Sequence, residues 1–154
     1  MTDAQPQAPL QIAVNSQYVK DFSFESPAAP QIFGPSQSAP TLNMGVNVTT
    51  RVLADNVYEV MLVLKLDAQL DGKTAFIAEL HYGGAFSIPP LPEEHLKYIL
   101  LVEAPRLLFP FARAIVANAV RDGGFPQILI APIDFAGMFQ SSNTAINAPA
   151  AGSA

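Results

Sequence analysis

Along residues 18–25, Tyr18, Lys20, Phe22 and Phe24 fall on one side of an alternating pattern, and Val19, Asp21, Ser23 and Glu25 on the other. That is the period of a half-buried strand. Its outward row carries two carboxylates, Asp21 and Glu25, a stiff acidic face suited to receiving a basic partner. Residues 42–49 alternate again, with Leu42, Met44, Val46 and Val48 apolar and Asn43, Gly45, Asn47 and Thr49 polar but uncharged. The strongest strand spans residues 57–67, where Tyr58, Val60, Leu62, Leu64 and Leu66 form an unbroken apolar row. Asp71-Gly72 then supplies a hairpin turn of the kind that needs positive φ. The chain returns over residues 74–82 with Phe76, Ala78, Leu80 and Tyr82 inward and Ala75, Ile77, Glu79 and His81 outward. Gly83-Gly84 is expected to end the sheet.

Beyond Gly84 the period changes. Pro89, Pro90 and Pro92 form a stiff connector before a short helix over residues 93–103. A second helix is expected to start near Pro110, a residue favoured at the first helical position, and to stop at Gly123-Gly124. Within residues 111–121 only Arg113, Asn118 and Arg121 are polar. More than half the circumference is therefore apolar or alanine, more than one sheet covers, and this argues for a second layer from another subunit. The interface residues so expected are Ala112, Ile115, Val116, Ala117, Ala119 and Val120. Residues 125–131 form an extended crossing segment, and Asp134 caps a short terminal helix through Phe139, with Gly137 weakening it. The expected fold is α+β: a four-stranded antiparallel sheet followed by helices packed on one face. Residues 1–10 are expected as a disordered arm, 11–140 as a single domain and 141–154 as a flexible tail.

Composition narrows the function. Half of the 154 residues are hydrophobic and 14% are charged, a low share for a soluble domain. The apolar runs are far shorter than the roughly 20 residues a bilayer span needs, and the N-terminus lacks the positive charge of a signal peptide. A net charge of −5 argues against nucleic acid. With ten of the thirteen acids but only five of the eight bases in residues 1–100, all the net charge sits there. The absence of cysteine excludes disulfides and thiol chemistry.

Catalytic constellations are nearly missing. His81 and Glu79 on one strand face suggest a base or a metal ligand only weakly, and His95 has no assigned role. Glu93-Glu94 are best read as favourable charges at a helix start, and the glycine pairs as turns. The aromatic supply is more telling: ten Phe and four Tyr without Trp, spread over segments that one small core does not absorb. Most plug the core, yet a surplus with Met44 and Met138 suits an adaptable apolar groove.

Several blocks then carry a resemblance: residues 18–27 (YVKDFSFESP), 53–60 (LADNVYEV), 83–88 (GGAFSI), 108–113 (LFPFAR), 125–127 (FPQ) and 131–135 (APIDF). In this order the chain resembles the SecB family of bacterial protein-export chaperones from about Tyr18 to Phe139. Phe111 stands where the family commonly has Tyr, Ala85 replaces a larger aliphatic, and the tail after Gln140 lacks the family's acids. The resemblance implies a cytoplasmic homotetramer, a dimer of dimers, that holds unfolded precursor proteins without ATP and passes them to the motor SecA. It implies no cofactor, no metal of its own, no nucleic acid and no membrane insertion. The positions it assigns to SecA's basic, zinc-stabilised tail are Asp21, Glu25, Ile77 and Glu79. A looser carry-over gives a client groove of Phe33, Met44, Val46, Phe76, Phe109 and Phe111. Two alternatives stay open: a small-molecule-binding domain using the aromatic groove, and an antitoxin-linked chaperone of the same family.

Overall fold

The computed structural model describes residues 12–36 and 38–147, with side chains through Ser142. Four strands, β1 (Ala13–Glu25), β2 (Thr41–Ala54), β3 (Val57–Leu70) and β4 (Lys73–Ser87), form one antiparallel sheet in the order β1-β4-β3-β2. The two inner strands are those with the longest apolar rows, because only they have both neighbours to pack against. β3 and β4 join through Asp71 (φ 51°) and Gly72 (φ 76°), the two positive-φ residues of a tight hairpin. A second hairpin, not expected from the sequence, turns at Asn56 (φ 59°) between β2 and β3. Asparagine tolerates the left-handed region better than most residues.

The expected faces hold for β2, β3 and β4 except at Ala75, expected outward, which a register shift between Phe76 and Thr74 turns into the core. Val60, Leu62, Leu64 and Leu66 of β3, with Phe76, Ala78, Leu80 and Phe86 of β4, are buried on one side, and β2 sets Val46 and Val48 beside Leu64 and Leu62. The sheet does not stop at Gly83-Gly84. β4 continues to Ser87, and both glycines sit mid-strand. A Cβ on Gly84 would lie 2.8 Å from the Phe86 ring and 3.0 Å from Leu108 of the overlying helix. The glycine is there for close approach, the other common reason for one inside a strand.

The helices also differ from expectation. Glu93–Tyr98 (α1), a π-helical turn at Ile99–Glu103 and Ala104–Asp122 (α2) follow without interruption, where the sequence suggested a break before Pro110. Pro105 is the second residue after the π turn, and such a bulge accommodates a residue with no N–H to donate. Pro110 stays inside α2 on its exposed side. Its interior penalty of about 3 kcal/mol is outweighed by Leu108, Ala112, Val116 and Val120, all fully buried against the sheet. Asp134 does cap the last helix, α3 (Phe135–Asn147): its Oδ1 accepts the Gly137 N–H at 3.0 Å. Gly137 helps this cap, since a Cβ there would fall 2.4 Å from the capping carboxylate. α3 runs well past Phe139, so residues 141–147 of the expected tail are helical. The expected arm at 1–10 and residues 148–154 lie outside the described residues.

Packing overturns part of the interface set. Ala112, Val116 and Val120 are fully buried in this chain's own core, and Ala117 nearly so. Ile115 and Ala119 are half-buried. When most of a helix is apolar, the sequence does not show which stripe meets its own sheet. The outward stripe of α2 consists of Leu107, Phe111, Ala114 and Asn118.

Candidate functional site

The face of the sheet opposite the helices is open, and strand register sets its chemistry. Glu25 of β1 stands opposite Ile77 of β4, Ser23 opposite Glu79 and Asp21 opposite His81. Asp21, Glu25, Ile77 and Glu79 are thus brought onto two neighbouring strands of one face. Asp21, Glu25 and Ile77 are exposed, Ile77 at 41%, and Glu79 is half-buried. An apolar side chain among three carboxylates suits a cationic partner that also offers a hydrophobic contact.

Glu79 is held by neighbouring side chains. His81 Nε2 lies 2.9 Å from its Oε1 and Lys65 Nζ of β3 3.8 Å. The His81 hydrogen bond holds the Glu79 carboxyl below the usual carboxylate range; desolvation opposes it, and the Lys65 and His81 charges add smaller lowering effects. His81 is therefore a partner of the acidic face. Among the described residues no group of three or more His, Asp or Glu is placed to hold a metal.

β1 departs from simple alternation. The register slips between Val19 and Asp21, leaving Lys20 as a bulge. The slip moves Tyr18 out of the row of Phe22 and Phe24 and onto the open face, opposite Gly83, and places Val19 opposite Tyr82 on the helix side. The expectation that Tyr18 shares a face with Phe22 and Phe24 is thus corrected. A bulge changes which residues share a face without changing composition. On the open face the Tyr18 hydroxyl donates to Glu59 of β3, and Arg51 Nη2 of β2 lies 3.3 Å from the other oxygen of the same carboxylate.

The expected groove residues do not form one surface. Phe33, from the 3-10 turn Gln31–Phe33, is 47% exposed and packs on Phe125 with ring centroids 5.0 Å apart. Phe125 meets Phe76 at 5.1 Å, and Phe76 meets Phe24 at 5.6 Å. Beside them opens a mostly apolar cavity of about 230 Å³, lined by Leu42, Ala68, Phe76, Phe125, Pro126 and Ile128 among others. Met44 and Val46 continue from Leu42 along the helix-side row of β2, Met44 exposed and Val46 half-buried. Phe109 is not part of this groove: it is buried, edge-on to Phe135 at 6.3 Å, with the Arg113 guanidinium 5.6 Å from its ring. Phe111 belongs to the outward stripe of α2, 51% exposed and stacked on Tyr82 at 6.4 Å. Sequence reasoning missed Phe24, Leu42, Phe125 and Ile128. Leu42 was recoverable from its shared alternation with Met44; Phe125 and Ile128 sit in irregular chain, where no period marks a face.

Comparison with known proteins shows the family and the fold. The family model described as "Preprotein translocase subunit SecB" matches residues 4–145. A protein-export protein SecB from Paramagnetospirillum magneticum is 49% identical over 151 residues, covering 96% of this chain and 97% of its own. One from a Bradyrhizobium strain is 47% identical over 141 residues, covering 90% and 87%. Among solved structures, a SecB-like chaperone of Mycobacterium tuberculosis, in complex with a peptide from the HigA1 antitoxin, superposes with a TM-score of 0.66. It does so at 15% identity, over 79% of this chain and 90% of that one, a likeness of fold. With a family match over nearly its whole length and relatives close to half identical, the chain belongs to the SecB family.

Proposed function

We propose that the protein is an ATP-independent holdase of the cytoplasm. It binds unfolded precursor proteins in the aromatic groove on the helix side of its sheet and delivers them to SecA, whose basic tail docks on the open side. The observation that carries this reading is the convergence of Asp21, Glu25, Ile77 and Glu79 on adjacent strands of one uncovered face. The two activities occupy opposite sides of the sheet, so client and motor do not compete for the same side chains. Client capture rests on burial of apolar segments, worth about 25 cal/mol per Å², multiplied by avidity over many shallow contacts. The proposed tetramer, a dimer of dimers, would bury the outward stripe of α2, where Leu107 and Phe111 are exposed.

The test is binding of the zinc-loaded SecA tail peptide and of an unfolded precursor to an Asp21→Ala/Glu25→Ala variant. Tail affinity is expected to fall while client affinity stays within about twofold, as for sites with no shared partners. Equal loss of both would overturn the division of labour between the two faces.

A further inference from the structure

β1 carries two of the three proposed docking carboxylates, yet it is an edge strand and the least regular of the four. It pairs only with β4, most of its residues are exposed, and its register slips twice, between Val14 and Ser16 and between Val19 and Asp21. Bulges interrupt the ladder where they occur. The second one decides which face Tyr18 shares with Asp21. Something beyond the backbone ladder must fix β1.

Glu59 answers that need. It is the one charged residue buried among those described, at 8% exposure, although it points to the open face. It accepts the Tyr18 hydroxyl from β1 and forms an ion pair with the Arg51 guanidinium from β2, 3.3 Å away. Tyr18 reaches it across β4, over Gly83: a Cβ there would lie 2.8 Å from the Tyr18 ring and 3.0 Å from Met61 Cε. Two nearer contacts, Asn15 Nδ2 to Ser87 Oγ at 2.8 Å and Tyr82 Oη to Gln17 Oε1 at 3.1 Å, tie β1 only to its neighbour β4. The Tyr18–Glu59 bond ties β1 to the far side of β4, three residues before Asp21.

We propose that Tyr18, Glu59 and Arg51 form a positioning clamp that holds the Lys20 bulge in place and thereby sets Asp21 and Glu25 against Ile77 and Glu79. None of the three needs to touch the partner. The inference rests on the docking reading above, and it separates two roles on one face: carboxylates that meet the basic tail, and a clamp that presents them.

The experiment titrates the zinc-loaded SecA tail peptide into the full-length parent, Tyr18→Phe, Asp21→Ala/Glu25→Ala and the triple variant. Loss of the Tyr18 hydroxyl is expected to weaken tail binding about tenfold, the effect of one hydrogen bond to a charged group. In the Asp21→Ala/Glu25→Ala background the same change is expected to cost less than about twofold, because the clamp acts through those two carboxylates. A Tyr18→Phe protein that binds like the parent overturns the clamp, as does an equal loss in both backgrounds. Where the Asp21→Ala/Glu25→Ala protein binds too weakly to titrate, amide exchange over residues 19–23 decides. Faster exchange in Tyr18→Phe upholds the clamp and parental exchange overturns it. A double-carboxylate variant that binds like the parent overturns the docking reading itself.

Discussion

Tyr18 shows how much a single residue's surroundings change its chemistry. Burial first, and then the hydrogen bond and charge of Glu59, push its phenol up to about 12 from 10.0. A phenol whose folded pKa lies above its unfolded value supports the fold fully below pH about 10 and loses that support as pH rises through about 12. Thermal melts between pH 9 and 12 are therefore expected to show the parent losing more stability than Tyr18→Phe; parallel curves would remove Tyr18 from the account. Glu79 works in the opposite direction. Its lowered pKa gives support present above the ordinary carboxylate range and lost as pH falls through it. Gly84 is a residue-scale constraint of another kind. With Phe86 and Leu108 both fully buried around it, Gly84→Ala overpacks the interface between sheet and helix. It is expected to cost about 1–3 kcal/mol, measured by urea unfolding; an unchanged midpoint would show that the helix can retreat.

At the scale of elements, the sequence spoke clearly where a regular period met a single buried face. β3 and β4 were legible because Leu62, Leu64 and Leu66 on one, and Phe76, Ala78 and Leu80 on the other, recur at every second position. The cap at Asp134 was legible because its chemistry is local. Legibility failed wherever geometry depended on a distant partner. The bulge at Lys20 leaves no compositional mark, so Tyr18 was assigned to the wrong face. The run from Glu93 to Asp122 was cut at Pro110, because proline signals a helix start unless burial elsewhere outweighs its cost. On α2 the nearly all-round apolar surface hid which stripe is inward, and Ala112, Val116 and Val120 proved to belong to this chain's own core, with Ala117 buried beside it. The four proposed docking positions were legible as residues through the family resemblance. Their adjacency came from strand order, which no local pattern reveals. A pair of charge insertions separates the two stripes of α2. Val116→Asp is expected to unfold the chain, whereas Ala114→Glu, on the exposed side, is expected to leave circular dichroism intact while lowering the mass seen by sedimentation. An unaltered mass for Ala114→Glu would show that this stripe lies outside the proposed interface.

For the whole molecule, the arrangement is one sheet with two occupations. The covered side supplies the core and, at its Phe33–Phe125–Phe76 end, an apolar recess; the open side carries charge. Among the described residues no helix is long and apolar enough to cross a membrane. Separation by the thickness of a sheet predicts different responses to salt. Raising ionic strength from 0.05 to about 0.5 M shortens the screening length severalfold and is expected to weaken tail docking much more than client capture, as read by titration at both salts. A tail contact indifferent to salt would contradict an acidic docking face. The central claim, that client and motor are bound at once on opposite sides, is tested most directly by native mass spectrometry of the chain with an unfolded precursor and the SecA tail peptide together. The account predicts a four-subunit species that takes up the precursor only while it is unfolded and retains it as tail peptides add. A monomer or dimer that ignores the precursor, or a tail peptide that displaces it, would contradict the account.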